Sequence, residues 1–237
     1  MTESPFSLSW PPPFSVRVSA RAKYARLRIL PGSGLEVVLP RHADPAIATS
    51  IVERHRDWVC RTLNRIGGTV SPEDEVKDTP RSIVLHGGSK RIPVFCRAEN
   101  PDGAENALAL PFHRDDYPAV ARALQSWVRR YASRELGNNV ASLAEKHGMA
   151  YSSVTFRRQK SRWGSCTASG SISLNICLVF LPPELAGHVI LHELAHTRHM
   201  NHGQGFWKTL FAMEPDALKL DKRLRSAWRY VPSWMWD

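Results

Sequence analysis

The segment His192-Glu193-Leu194-Ala195-His196 sets two imidazoles four residues apart, with a carboxylate directly after the first. On a helix, positions i and i+4 share a face, so both rings can reach one ion. Glu193 is rotated from that face by about 100°, as 3.6 residues per turn require. It cannot join the rings as a ligand, but it can reach a water beside a bound ion, where a general base belongs. The bland alternative is an amphipathic helix with incidental histidines. The apolar neighbours Val189-Ile190-Leu191 and Leu194-Ala195 would then surround three polar groups that nothing satisfies, at considerable cost. A bound metal removes that cost, and Zn2+ suits imidazole ligands in this pattern.

A catalytic zinc takes a third protein ligand and keeps one position open. Three residues compete for that role. His199 lies about 10 Å along a continuing helix from His192, at 1.5 Å per residue, which is too long a row for one ion. Glu214 follows His196 by eighteen residues, with the intervening geometry undetermined by spacing. His202 is the preferred ligand, because Asn201 and Gly203 tolerate a turn that returns the chain over the metal. The spacing from His196 to His202 matches metzincins, yet His199 stands where their helix-ending glycine would be.

The elements that must position these groups follow from patterning. An α+β chain is expected: a strand-rich region with one helix over residues 1–115, then a metal-binding catalytic region over 116–237 that carries the HExxH helix. Pro11-Pro12-Pro13 reads as an extended arm. Tyr24–Leu30 and Leu35–Leu39, separated by Pro31-Gly32-Ser33-Gly34, read as a hairpin. One helix follows, capped by Asp44, with Ile47, Ile51, Trp58, Val59 and Ile66 as its buried stripe and Gly67-Gly68 as its end. Ile83–Leu85 and Arg91–Phe95 form a second hairpin, and Ala107–Leu110 a further strand. After Asp115-Asp116, Val120, Leu124, Trp127, Val128 and Tyr131 share one face of a long helix that Gly137 bends and Gly148 closes. Val154–Arg158 and Ser171–Leu174 are strands around a Trp163-Gly164-Ser165-Cys166 loop. Pro182-Pro183-Glu184 opens the metal helix, and short helices follow near Gln204–Met213 and Asp216–Arg225.

Composition narrows the partners. Charged residues make up 23% and hydrophobic ones 43%, which excludes wholesale disorder. No apolar run is long enough for a bilayer, and Met1–Phe14 lacks a signal-peptide pattern, so a cytoplasmic address is expected. Cys60, Cys96, Cys166 and Cys177 form no CxxC pair and read as reduced thiols. A net charge of +10 draws polyanions, making a nucleotide or nucleic acid a conceivable partner. The densest basic clusters are Arg17–Arg28 and Arg157–Arg162.

Together, Lys160–Cys166 (KSRWGSC), Ser171–Asn175 (SISLN), His192–His196 (HELAH) and Asn201–Trp207 (NHGQGFW) resemble the YgjP-like family of metal-dependent hydrolases. That family has a zincin fold and is more distantly similar to SprT-like and Spartan-type proteases. The resemblance implies His192, His196 and His202 as zinc ligands and Glu193 as catalytic acid/base. Gly203 departs from the serine common at that position in relatives. Arg162 is a candidate to stabilise developing negative charge, and Asn175 to bind substrate or orient a histidine. Phe206 and Trp207 read as packing under the His202 turn, Trp163 as core, and Cys166 as structural. The expected chemistry is peptide hydrolysis by a zinc-activated water, with Ser171–Asn175 pairing to the substrate as an added strand. Two rivals are hydrolysis of nucleotide phosphoanhydrides, with Arg157, Arg158, Lys160 and Arg162 gripping phosphates, and a DNA-associated protease.

Overall fold

Leu35, Val37 and Leu39 alternate along Gly34–Pro40, and that alternation builds the core of the first part of the chain. A computed structural model describes residues 10–30, 34–66, 78–99 and 106–237. Contacts divide the chain into two units, one up to residue 76 and one from residue 77 to 235. The strands of residues 82–109 therefore group with the helices that follow and not with the strand-rich start, where patterning places them.

In the first unit β1 (Phe14–Ser19), β2 (Arg26–Leu30) and β3 (Gly34–Pro40) form a sheet with β3 central. The expected hairpin is the antiparallel β2–β3 pair; residues 31–33 of its turn lie outside the described residues. β1 is an unanticipated strand, parallel to β3, and it begins directly after the proline run. Glu36 on the central strand sits 3.2 Å from Arg17 and 3.7 Å from Arg28 on the flanking strands, so part of the first basic cluster is neutralised there.

The single helix expected next is two, α1 (Ile47–Arg54) and α2 (Arg56–Ile66), broken where His55 leaves helical geometry at φ −106°, ψ 24°. The break moves the apolar stripe. Ala48, Val52, Val59 and Leu63 are buried against the sheet, while Ile47 and Trp58 are exposed. Asp44 accepts a hydrogen bond from the Ala46 amide at 2.9 Å, and so stands two residues before the cap position, which Ala46 holds. The expected Gly67-Gly68 stop lies outside the described residues.

The second unit is organised by α3 (Tyr117–Lys146), whose residues Val120, Leu124, Val128, Ala132, Leu136 and Val140 form one buried i+4 row. Asp116 caps it by accepting from the Ala119 amide at 3.1 Å. The helix runs unbroken through Gly137, and Gly148 follows its end with φ +60°. β4 (Ser82–Leu85) and β5 (Lys90–Phe95) form the second hairpin, and β6 (Leu108–Ala109) adds in parallel. A second sheet has the order β7 (Ser153–Arg157), β9 (Ser171–Asn175), β8 (Gly164–Cys166). A wholly buried 3-10 segment, Ile176–Phe180, packs under α3 and leads into α4 (Pro183–His196). α5 (Gln204–Met213) and α6 (Ala217–Leu224) pack on α4. The result is the mixed α+β architecture expected.

The Trp163–Cys166 segment corrects the sequence reading. It is not a loop: Gly164–Cys166 pairs antiparallel with Leu174–Ile172. β9 is thereby flanked on both sides, by β7 and β8, and has no edge on which a substrate strand could add. Among the described residues the free edge nearest α4 belongs to β8.

Candidate metal centre

Pro183 at the start of α4 needs no amide partner and pre-sets helical φ, which fixes the register of every histidine after it. Leu185, Val189, Ile190, Leu194 and Ala195 bury the helix, and the polar row opens on its remaining face. The helix ends at His196, with Thr197 as its C-cap. Residues 197–203 then turn back, and Gly203, hydrogen-bonded to the Asn201 carbonyl at 2.7 Å, starts α5. Gly203 has φ −79°, so the turn does not exploit glycine's left-handed freedom.

This turn delivers His202 to the helix. His192, His196 and His202 each offer a ring nitrogen, and these atoms lie within 4.8 Å of one another. The Nε2 atoms of His192 and His202 are 3.1 Å apart. Phe206 is fully buried beneath all three, its ring centred 5.0 Å from His192, 4.6 Å from His196 and 4.6 Å from His202. Trp207 stacks on Phe211 and lies farther off.

The protonation states suit ligation. Burial, with the neighbouring histidines, pushes His192 down to about 3, and burial also lowers His196. Both rings therefore stay neutral at pH 7, the form that binds metal. The His196 Nδ1 atom lies 3.0 Å from the His199 carbonyl, which as an acceptor holds the proton on Nδ1 and leaves Nε2 for an ion. His199 thus reaches the site through its backbone.

Glu193 is 6% exposed, and its Oε2 has no hydrogen-bond partner among protein atoms. Burial pushes its carboxyl up to about 7, with the Arg162 charge opposing. Gly164 explains the depth of this pocket. A Cβ at Gly164 would stand 2.5 Å from the Glu193 Oε1 atom and 2.7 Å from its Cγ. The glycine of KSRWGSC is therefore the space that Glu193 occupies. Trp163 beside it is buried and stacked on Trp228, with ring centroids 3.8 Å apart.

The two other sequence candidates part ways. Arg162 is exposed, and its charge is felt at Glu193. Asn175 is fully buried. Its amide donates to the Gln159 carbonyl at 2.7 Å and the Arg162 carbonyl at 2.9 Å, and its oxygen accepts from the Cys177 amide at 3.1 Å. Asn175 is spent on shaping the 159–163 loop, which leaves it no free group for a substrate. Arg158 donates to the Met235 carbonyl at 2.7 Å. Cys166 is a free, partly buried thiol outside the histidine cluster.

Glu214, the alternative third ligand, pairs instead with His188, its Oε2 lying 2.5 Å from Nδ1. His188 escaped the sequence reading although it sits one turn before His192 in the same i+4 row; the signal was its spacing, hidden by the dominance of HExxH.

The profile of the family described as YgjP-like, metallopeptidase domain, matches residues 23–227. The chain belongs to the YgjP-like family. This YgjP-like chain is accordingly a metal-dependent hydrolase of a metallopeptidase family, and its donor set fits a metal: three clustered imidazoles, with the buried, unpartnered oxygen of Glu193 on the same helix as two of them. Solved structures similar to it include the metallopeptidase zymogens abylysin of Pyrococcus abyssi and jannalysin of Methanocaldococcus jannaschii. Each is 21% identical; TM-scores are 0.35 and 0.34, covering 38% of this chain and 90% and 92% of theirs. Likeness at that level carries no weight in the assignment, which stands on the family match. A search of curated proteins finds no match. No helix among the described residues is long and apolar enough to cross a membrane.

Proposed function

We propose that this protein is a zinc peptidase in which His192, His196 and His202 hold the ion and Glu193 carries the proton. The catalytic region is assigned to residues 116–237, which contain every one of these groups. The carrying observation is that three ring nitrogens cluster at the end of α4 while the buried Glu193 carboxyl, with an unpartnered oxygen, lines one cavity with His192. Zinc, when bound, supplies a Lewis acid that polarises a carbonyl and makes water easier to deprotonate near pH 7. Glu193, poised near neutrality, takes the proton from the attacking water and returns it to the leaving amine. Arg162 keeps part of the Glu193 population ionised and so able to accept that proton. The free edge of β8 supports an extended peptide as substrate, since Gly164 at its start lies against Glu193. Four free cysteines are consistent with a cytoplasmic, reducing address.

Hydrolysis of nucleotides draws less support, because Arg158 of the basic cluster is engaged by the chain's own Met235 carbonyl. The test is an activity panel of unstructured peptides and nucleoside triphosphates on zinc-loaded wild type and Glu193→Gln. Peptide cleavage that drops at least about 100-fold in the variant is expected. Cleavage of triphosphates alone, or activity indifferent to the substitution, overturns the reading.

A further inference from the structure

Beside the metal centre lies a cavity of about 180 Å³ whose lining includes Gly164, His188, His192, Glu193 and Asp221. It shares His192 and Glu193 with the site described above, so whatever fills it adjoins the reacting bond. His188 is 1% exposed. Its Nδ1 is held by Glu214, while its Nε2 is buried and has no protein partner. An unpaired buried polar atom costs about 1–3 kcal/mol, a cost that a ligand can relieve on binding. In the tautomer that donates Nδ1–H to the Glu214 carboxylate, Nε2 is the ring atom left to accept from a ligand. Asp221 adds a carboxylate, and neither lysine nor arginine lines the cavity. Acceptors therefore dominate its polar lining.

Resting on the peptidase reading, we propose that this cavity receives the substrate side chain next to the scissile bond, and that His188 selects one carrying a hydrogen-bond donor. Glutamine or lysine side chains fit that chemistry. Acidic ones meet carboxylates, and purely aliphatic ones leave Nε2 unpaired. His188 is a specificity-determining residue here, and Glu214 positions its ring. A site built around a polar partner discriminates strongly against analogues that lack it.

The test measures binding of amino-acid hydroxamates to the zinc-loaded protein by calorimetry, with the hydroxamate anchoring on the metal and the side chain sampling the cavity. Wild type is expected to bind glutamine and lysine hydroxamates at least about tenfold more tightly than the leucine and glutamate ones. His188→Leu should abolish that preference and raise the relative affinity of leucine hydroxamate, with zinc content unchanged. Should His188→Leu fail to fold because Glu214 is left unpaired, the double variant His188→Leu/Glu214→Leu removes both polar partners and serves instead. Binding without side-chain preference, or a preference that survives loss of His188, overturns the inference while leaving the metal centre intact. Failure of every hydroxamate to bind zinc-loaded wild type overturns the metal-centre reading and this inference with it.

Discussion

Gly164 and Glu193 are in contact so close that a single methyl group on the glycine would overlap the carboxylate, its Cβ falling 2.5 Å from Oε1 and 2.8 Å from Cδ. The edge strand β8 and the metal helix α4 are thus locked at the one residue expected to move the proton. Gly164→Ala must push Glu193 or the strand aside, a strain of about 1–3 kcal/mol. Peptide cleavage should fall at least about 100-fold, because displacement of a reacting group by about 1 Å is felt at that scale. Zinc content should stay near that of wild type, since no ligand is touched. Unaltered kcat would show that the contact does not set the position of Glu193.

The same burial makes Glu193 a stability liability without metal. Its carboxyl is pushed from 4.5 to about 7 in the fold, so the neutral form is favoured there. Stability of the metal-free protein should therefore decline as pH rises from 4.5 to 7 and stay level above. Glu193→Gln removes that decline. At about 1.4 kcal/mol per pH unit between the two values, the variant should be the more stable by up to about 3 kcal/mol at pH 8 and by nearly nothing at pH 4. Urea unfolding of the metal-free proteins at both pH values measures this, and an equal difference at both would contradict it.

Much of the site was legible because its chemistry is local. The i, i+4 histidines, the Pro183 start and the α5 boundaries all follow from spacing and capping. What escaped depended on partners distant in sequence. Gly164 reads as a loop glycine until α4 is laid against it. Asn175 reads as a cleft residue until Gln159 and Arg162 are found to take both its donors. His188 gains meaning only when Glu214, 26 residues away, reaches its Nδ1. The break between α1 and α2 at His55 has no glycine or proline to announce it.

Ligand identity separates by substitution. His202→Ala should lose most bound zinc at a fixed chelator concentration. His199→Ala should lose far less, because the His199 carbonyl that faces His196 Nδ1 survives the substitution. Gly205→Ala is the sharper probe of that arrangement. Its new Cβ would come 2.9 Å from Cε1 of the His199 ring and 3.0 Å from Nδ1. Forcing that ring aside while the carbonyl stays in place should leave zinc binding within about threefold of wild type, as in His199→Ala, and a larger loss would show that the ring itself supports His196. Equal zinc losses in His202→Ala and His199→Ala would remove His202 from the ligand set.

Acid stability of the second unit should depend on Glu99. Arg114 donates to both its oxygens at 2.6 Å, from Nε and Nη2, and the Cys96 amide donates to Oε2 at 2.7 Å. The Arg114 side chain also donates to the Thr79 and Val94 carbonyls, so one guanidinium ties three segments together. These bonds, the Arg114 pair first and the Cys96 amide second, hold the Glu99 carboxyl down at about 2. A depressed carboxyl stabilises the fold above its unfolded value near 4.5 and loses that contribution as pH falls toward 2. Glu99→Gln should therefore weaken wild-type stability at pH 7 and flatten its loss between pH 4.5 and 2, followed by thermal unfolding across that range. The pair is solvent-accessible, so screening should diminish the difference in high salt. A variant that loses stability in acid as steeply as wild type would assign the acid transition to other carboxylates.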